Sequence, residues 1–422
     1  MHDFDVVIVG AGFSGLSLAH HLPKNMKILI VDSKTAEGQT VESTGLITSH
    51  TRDILGSFFN IDDYITNPIS SICVMSPDYS HFVSHSEDPW IFQTDTKALI
   101  HALRGSLPSN VSVSMGTVFT GVDDPQFPKV VLLRRGNEEY SVRTKFLAGA
   151  DGGKSKVAAI IHGLDKNRKF LFGYEQVFHG DVHPGPNPEK TIYHFWFGAF
   201  SLGYGGWLSP TIFNGKRAFR VGLAKLSKDT NRAGVLTEQF VKILLEKGII
   251  SIDGDPKKPV FAFGNNIPIG GVMKNIHSNN VLLIGDAAGF CGAFAADGIK
   301  GAVLSGIEAA PLIVRYLRGE TGALKNLKNN INRHNHLIKY YKKQLRYRLL
   351  WNMMKSDSSF DRLYRIIEKE KEGFLHQFCD SKDKRRSLIR TVLKPKHLAA
   401  LTLYGLNIIY DQVPKKNAHS GN

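Results

Sequence analysis

The sequence predicts an α/β protein in which a parallel-sheet domain is interrupted by a β-rich insertion and followed by a helical extension. Three observations predict this. First, Asp5–Val9 (DVVIV) is a short apolar run that ends in glycine, passes into Leu16, Leu18, Ala19 and Leu22 at helical spacing, and returns as a second apolar run, Lys27–Val31. Continuous apolar runs of this length are what strands buried on both faces look like. Second, another such run, VLLI at 281–284, lies far along the chain and also ends in glycine. Third, residues 170–226 between them turn aromatic and β-rich (YEQVFHGDV, TIYHFWFGAFSLGYGGW, AFRVGLAKL). A strand, glycine turn, helix and strand within about 30 residues make the opening unit Rossmann-like.

The remaining elements follow in order. Pro23 and Asn25 close the first helix, and residues 33–60 read as loop with a short helix. Weak alternation over 61–95 suggests strands, Lys97–Leu107 a helix, and Val111–Val122 and Lys129–Arg135 strands. Phe146-Leu147-Ala148 leads into Gly149-Ala150-Asp151-Gly152-Gly153. Helix returns at Val235–Lys247 and over about 299–317. The expected organisation is a discontinuous cofactor domain (1–60, 96–165 and 269–330), a substrate domain (61–95 and 166–268) and a basic helical segment (331–422).

With 422 residues, 42% hydrophobic and 22% charged, the chain can build two or three packed units. That composition excludes a wholly disordered chain, a collagen-like fibre and a disulfide mini-scaffold. Cys73, Cys291 and Cys379 are too few and too scattered for a disulfide framework or a CxxC metal site, so a reducing, cytoplasmic setting is expected. No apolar run approaches the roughly 20 residues that span a bilayer. The opening MHDFDVVIVGAG enters a strand at once, and no signal peptide is expected.

The charge is uneven. Residues 331–422 hold 20 Lys+Arg against 8 Asp+Glu, a net +12 of the chain's +15. A basic block at 382–396 precedes Leu398–Tyr410, 13 residues without a charge. That run is too short to cross a membrane but long enough to lie in its interface, so 382–410 is expected to meet an anionic membrane surface; a solvated helical cap is the alternative. No nucleic-acid partner is expected, because no reader module accompanies the charge. Asn332–Met354 reads as one helix with interspersed Lys and Arg.

Two constellations carry chemistry. In GAGFSG, Gly10 permits the tight turn, Gly12 lets backbone approach a pyrophosphate, and Gly15 lets helix pack on strand. The helix terminus offers free N–H groups to the phosphates. Asp32, 22 residues after Gly10, can accept ribose hydroxyls. Gly285-Asp286 repeats the strand end, turn and carboxylate, with Gly289, Gly292 and Gly298 keeping the backbone bare ahead of a helix. That helix terminus could stabilise negative charge on a reduced flavin; an ordinary strand-to-helix turn looks the same.

GAGFSG, GADGGKS and VLLIGDAAGF, in that order over roughly residues 4–312, resemble the FAD-dependent oxidoreductases of the para-hydroxybenzoate hydroxylase fold. Within that group the chain is most similar to the geranylgeranyl reductase family, through Gly203-Tyr204-Gly205-Gly206-Trp207-Leu208-Ser209-Pro210 and the run IGDAAGF…DGI…A…SG. The resemblance implies FAD, with NAD(P)H or another reductant or electron-donor partner. It places Gly10, Gly12, Phe13, Ser14 and Gly15 at the diphosphate and Asp32 and Ser33 at the adenosine ribose. It puts Thr44-Gly45-Leu46 on a loop past the flavin ring, and matches Asp151 and Gly152 to a DG motif near the pyrophosphate. Gly285 and Asp286 would meet the ribityl–phosphate region, and Gly298 and Ile299 the isoalloxazine.

Three departures bear on the substrate. Val41-Glu42-Ser43-Thr44 lacks the cysteine some geranylgeranyl reductases place there, Asp297 stands where glutamate is frequent, and the aromatic stretch ends Leu-Ser-Pro. Cys291, Tyr204 and Trp207 are the catalytic candidates. Tyr193, Phe195, Trp196, Phe197, Phe200, Tyr204 and Trp207 are expected to line one sheet face above the flavin, suiting a lipophilic or aromatic substrate. No metal site is expected from His179, Asp181, His183 and His194, which lack a ligand set. The leading function is reduction of C=C bonds in an isoprenoid or other lipophilic substrate. The alternatives are an NAD(P)H-dependent aromatic or quinone monooxygenase, a halogenase, and a non-catalytic membrane-associated flavoprotein.

Overall fold

The computed structural model describes residues 2–35, 41–183, 192–196, 198–199, 203–226, 233–373 and 393–412. The chain divides into two compact units: Met1–Ile65, Thr94–Leu171 and Asn266–Arg346 form the first, and Thr66–Gln93, Phe172–Asn265 and Tyr347–Asn422 the second. Residues 331–346 thus cluster with the first unit and those from 347 on with the second.

The first unit is built on a parallel sheet of β1 (His2–Val9), β2 (Ile28–Asp32), β3 (Val111–Met115), β4 (Glu138–Gly149) and β5 (Val281–Leu283), in the spatial order β5-β4-β1-β2-β3. Val6, Val7, Ile8, Ile28, Ile30, Leu147 and Leu282 are fully buried. Each such side chain contributes about 1.5–3 kcal/mol on leaving water, which is why the runs read from the sequence become central strands. Helices α1 (Phe13–His21) and α2 (Gly298–Leu317) pack against one another. Gly306 allows that approach: a Cβ there would lie 2.5 Å from the Ser14 carbonyl oxygen.

The single helix expected over Asn332–Met354 is instead broken. Leu327–Asn335 stops at His336, which takes φ 53°, and α3 (Leu337–Met353) begins beyond it. A left-handed residue cannot continue a right-handed helix, and helical side-chain spacing on both sides of a one-residue break conceals it.

In the second unit, Ile192–Trp196 pairs antiparallel with Gly203–Phe213, which pairs antiparallel with Lys216–Leu226. Ser71–Met75 runs parallel to Ile192–Trp196 on its other side. One face carries Trp196, Leu208, Phe219 and Val221, packed on Phe240, Val241 and Leu244 of the helix Ala233–Glu246. Phe195 and Trp207 are partners in register, so they stand on the opposite face. The expected single face of rings is therefore incorrect: neighbours along a strand point to opposite sides, and Phe195 and Trp196 are neighbours. Tyr193 and Tyr204 are described by backbone alone, and Phe197 and Phe200 lie outside the described residues.

Near the C-terminus, the helix Leu398–Gln412 packs on the helix Asp357–Glu368. Asp411 Oδ2 accepts the backbone N–H of Lys355 (2.8 Å) and the hydroxyl of Ser359 (2.8 Å). Residues 382–392 of the expected basic block, and Cys379, lie outside the described residues.

Candidate cofactor site

Three turns leave the first unit's sheet side by side. Val9 is level with Gly149, and Gly149 with Leu283, so β1, β4 and β5 end on one row. The Ala150 N–H donates to the Val9 carbonyl (2.8 Å) and the Ile284 N–H to the Gly149 carbonyl (2.9 Å), locking the ends together. The GAGFSG, GADGG and IGDAAG segments, about 140 residues apart in sequence, thereby emerge at one edge.

Gly10 has φ 113°, and Gly15 sits so close to it that a Cβ on Gly15 would meet the Gly10 carbonyl oxygen at 2.0 Å. A Cβ on Gly12 would meet nothing within 4 Å, so the space ahead of α1 is open. The first helical hydrogen bond of α1 runs from Leu16 N–H to the Gly12 carbonyl (3.0 Å). The helix has no side-chain cap and no acidic residue in its first turn. Such a terminus presents N–H groups and a positive dipole end, and can bind an anion. Asp32, at the end of β2, accepts the Ala11 N–H on Oδ2 (2.8 Å) and the Lys34 N–H on Oδ1 (2.8 Å). Each oxygen retains a lone pair for a hydroxyl donor. Phe13 and Ser14 are buried in the first turn of α1, and Ser33 is exposed.

Gly285 takes φ 58°, and Asp286 follows it into the turn. Among the described residues no donor reaches the Asp286 carboxylate, and burial alone pushes it up to about 6. A half-enclosed carboxylate left without a partner is a ready acceptor for ligand hydroxyls. Gly298 opens α2 beside it: a Cβ there would be 3.2 Å from Asp286 Oδ1. Ile299 follows within the first turn of α2.

Asp151 has other work. Its carboxylate accepts Ser155 Oγ (2.6 Å), Lys156 N–H (2.7 Å) and Val157 N–H (3.1 Å), and so caps the short helix Lys156–Ile160. Gly152 takes φ 77° with open space in front of it. Asn167 is a residue the motifs did not reveal. Its Nδ2 donates to the carbonyls of Gly153 (3.0 Å) and Asp286 (2.8 Å), tying two of the turns together. No spacing rule points to it, because its partners are backbone atoms far away in sequence. Gly45, between Thr44 and Leu46, has φ 71°, and its carbonyl accepts the Thr94 hydroxyl (2.9 Å).

Cys291 is buried, and burial with the nearby Asp286 and Asp297 carboxylates pushes its thiol well up. It therefore carries a proton rather than a thiolate charge at neutral pH, unlike the activated cysteines that act as nucleophiles. Trp207, in the second unit, donates from Nε1 to Glu175 Oε2 (2.7 Å), while Arg220 Nη1 donates to Glu175 Oε1 (2.7 Å). All three are buried, so the indole is part of a fixed polar network. The Tyr204 side chain lies outside what is described.

The open anion-binding terminus at Gly12, the carboxylate closing β2 and the unpartnered Asp286 together fit FAD, and define the first unit as a flavin-binding fold. Residues 3–336 match the protein-family model described as FAD binding domain, and the chain belongs to that family. It is an FAD-dependent oxidoreductase. Among curated relatives, digeranylgeranylglycerophospholipid reductase 2 of Methanosphaera stadtmanae is 23% identical over 359 residues, covering 81% of this chain and 86% of the relative. The digeranylgeranylglycerophospholipid reductase of Methanocaldococcus jannaschii is 23% identical, covering 88% and 92%. Solved structures share the fold. A geranylgeranyl bacteriochlorophyll reductase-like protein from Thermoplasma acidophilum gives a TM-score of 0.75 at 16% identity, covering 93% of this chain and 100% of that one. The p-nitrophenol 4-monooxygenase PnpA from Pseudomonas putida gives 0.65 at 15%, covering 94% and 100%.

Proposed function

We propose that this protein reduces C=C bonds in the isoprenoid chains of a lipid. The observation that carries this reading is that two curated relatives aligned over 81% and 88% of the chain bear the name digeranylgeranylglycerophospholipid reductase. Once bound and reduced by an electron donor, FAD would supply hydride, with a proton completing each saturation. The chain supplies position and electrostatics. The N–H groups of α1 beyond Gly12 would hold the diphosphate, Asp32 would accept the ribose hydroxyls, and Asp286 would accept from the ribityl–phosphate region. The terminus of α2 at Gly298-Ile299 favours negative charge on the reduced ring. Cys291 retains its proton on Sγ. A hydrocarbon chain offers no charge to grip, so apolar shape must orient it.

The test is anaerobic. Dithionite-reduced, FAD-loaded protein is mixed with a phospholipid carrying geranylgeranyl chains, and products are read by mass spectrometry. A gain of two hydrogens per double bond supports the proposal. An unchanged lipid, together with oxygen insertion into a phenol when NADPH and air are supplied, replaces it with the monooxygenase reading. Flavin bleaching by NADPH, or its failure, decides whether a nicotinamide nucleotide or another carrier is the electron donor.

We further propose that the protein meets anionic membrane through its C-terminal helix. Leu398–Gln412 buries Ile408 against its neighbour but leaves Leu403, Leu406, Ile409 and Tyr410 48–68% exposed along its outer side. No helix among the described residues is long and apolar enough to cross a membrane, so this contact is peripheral. Leu406→Ser with Ile409→Ser should abolish pelleting with anionic vesicles; undiminished pelleting rejects the contact.

A further inference from the structure

Between the Gly285-Asp286 turn and α2 runs a tight loop, Cys291–Asp297, that the cofactor cradle leaves unexplained. Ala296 adopts φ 55° within it, a conformation that costs a residue with a side chain and persists only where surroundings enforce it. Within the loop, the Ala296 N–H donates to the Gly292 carbonyl (2.9 Å). Further restraints come from α3, some fifty residues later.

Gln344 is fully buried and uses both ends of its amide. Its Oε1 accepts the N–H groups of Phe294 (2.9 Å) and Ala295 (2.8 Å), and its Nε2 donates to Asp297 Oδ1 (3.0 Å). Tyr340 donates its hydroxyl to Asp297 Oδ2 (2.7 Å). The Tyr341 hydroxyl reaches the carbonyls of Phe290 (3.2 Å) and Asp297 (3.3 Å). Glycines make room for this. A Cβ on Gly292 would lie 1.7 Å from Asp297 Oδ1 and 2.5 Å from Gln344 Oε1, and one on Gly301 would lie 2.4 Å from the Tyr341 hydroxyl.

We propose that the first turns of α3 are a brace for the loop joining the Gly285-Asp286 turn to α2, and that Gln344 and Tyr340 are positioning residues for FAD. A side-chain amide of this length can accept two backbone N–H groups on its oxygen and donate from its nitrogen to a carboxylate at once. Removing it takes a buried acceptor from two backbone amides and a donor from Asp297, so the loop opens while the sheet stays intact. The inference rests on membership of the FAD-binding family and does not depend on which substrate is reduced.

Buried cysteines report the outcome. Cys291 lies in the braced loop and Cys73 in the core of the second unit. In a Cys379→Ser background, thiol labelling of each is followed by peptide mass spectrometry, and FAD affinity by flavin fluorescence. Gln344→Leu should speed Cys291 labelling about tenfold and weaken FAD binding about tenfold, with Cys73 unchanged, as expected for loss of two buried amide partners. Tyr340→Phe, a gentler change should Gln344→Leu fail to fold, should give the same pattern at about threefold. Equal acceleration at Cys73 and Cys291, or no acceleration at either, overturns the proposal.

Discussion

A Cβ on Gly10 would lie 2.2 Å from the carbonyl oxygen of Ala150, so the first turn of the chain is pressed against the turn that follows β4. Gly12, two residues on, faces open space. The two glycines should therefore fail differently. Gly10→Ala adds a clash at φ 113° and should cost about 2–4 kcal/mol of apoprotein stability, measured by denaturant unfolding. Gly12→Ala should leave that stability within about 0.5 kcal/mol and weaken FAD binding instead, if, as proposed, the diphosphate enters the open space at Gly12.

Asp286 makes apoprotein stability depend on pH. Its folded carboxyl is raised by burial to about 6 from an ordinary 3.8, so the folded state favours the proton. That contribution is fully present below pH 3.8 and is lost as pH rises through about 6. Asp286→Asn should therefore stabilise the apoprotein by about 1–3 kcal/mol at pH 7 and leave it unchanged at low pH, while weakening FAD binding. Thermal unfolding at pH 4 and pH 7 checks the sign.

Asn167 joins the Gly153 and Asp286 turns through one amide. Asn167→Ala should cost about 1–3 kcal/mol by leaving two carbonyls without that donor. FAD affinity should fall as well, because the two turns are then free to separate. Unchanged affinity in a destabilised variant would confine Asn167 to the scaffold.

The Glu175–Arg220 pair is buried under Trp207, and its two members are not equivalent. Arg220→Met leaves a buried carboxylate without its cation and should cost about 3–5 kcal/mol. Adding Glu175→Gln to that variant should recover part of the loss, since the uncompensated charge is gone. Urea unfolding of the single and double variants measures both.

The parallel-sheet fold and the FAD motifs were legible because their signals are local. Four apolar residues before a glycine, as at residues 6–9 and 281–284, read as a buried strand, and Gly10, Gly12 and Gly15 are spaced by the geometry of one turn and one helix. The break at His336 was invisible, since Leu337 and its successors keep helical spacing on their own side of it. The ring assignment erred for the opposite reason: Phe195 and Trp196 share chemistry but, one step apart on a strand, not a face.

Within about thirty residues, sterics and burial leave the chain few choices, and the opening strand–turn–helix follows from its letters. Which distant atoms meet is settled by packing. The Val9–Gly149–Leu283 row aligns three turns, Asn167 finds two carbonyls, and Gln344 reaches back to Phe294, Ala295 and Asp297. Those partners are backbone amides and carbonyls, which every residue type carries alike, so no pattern of side chains could have announced them.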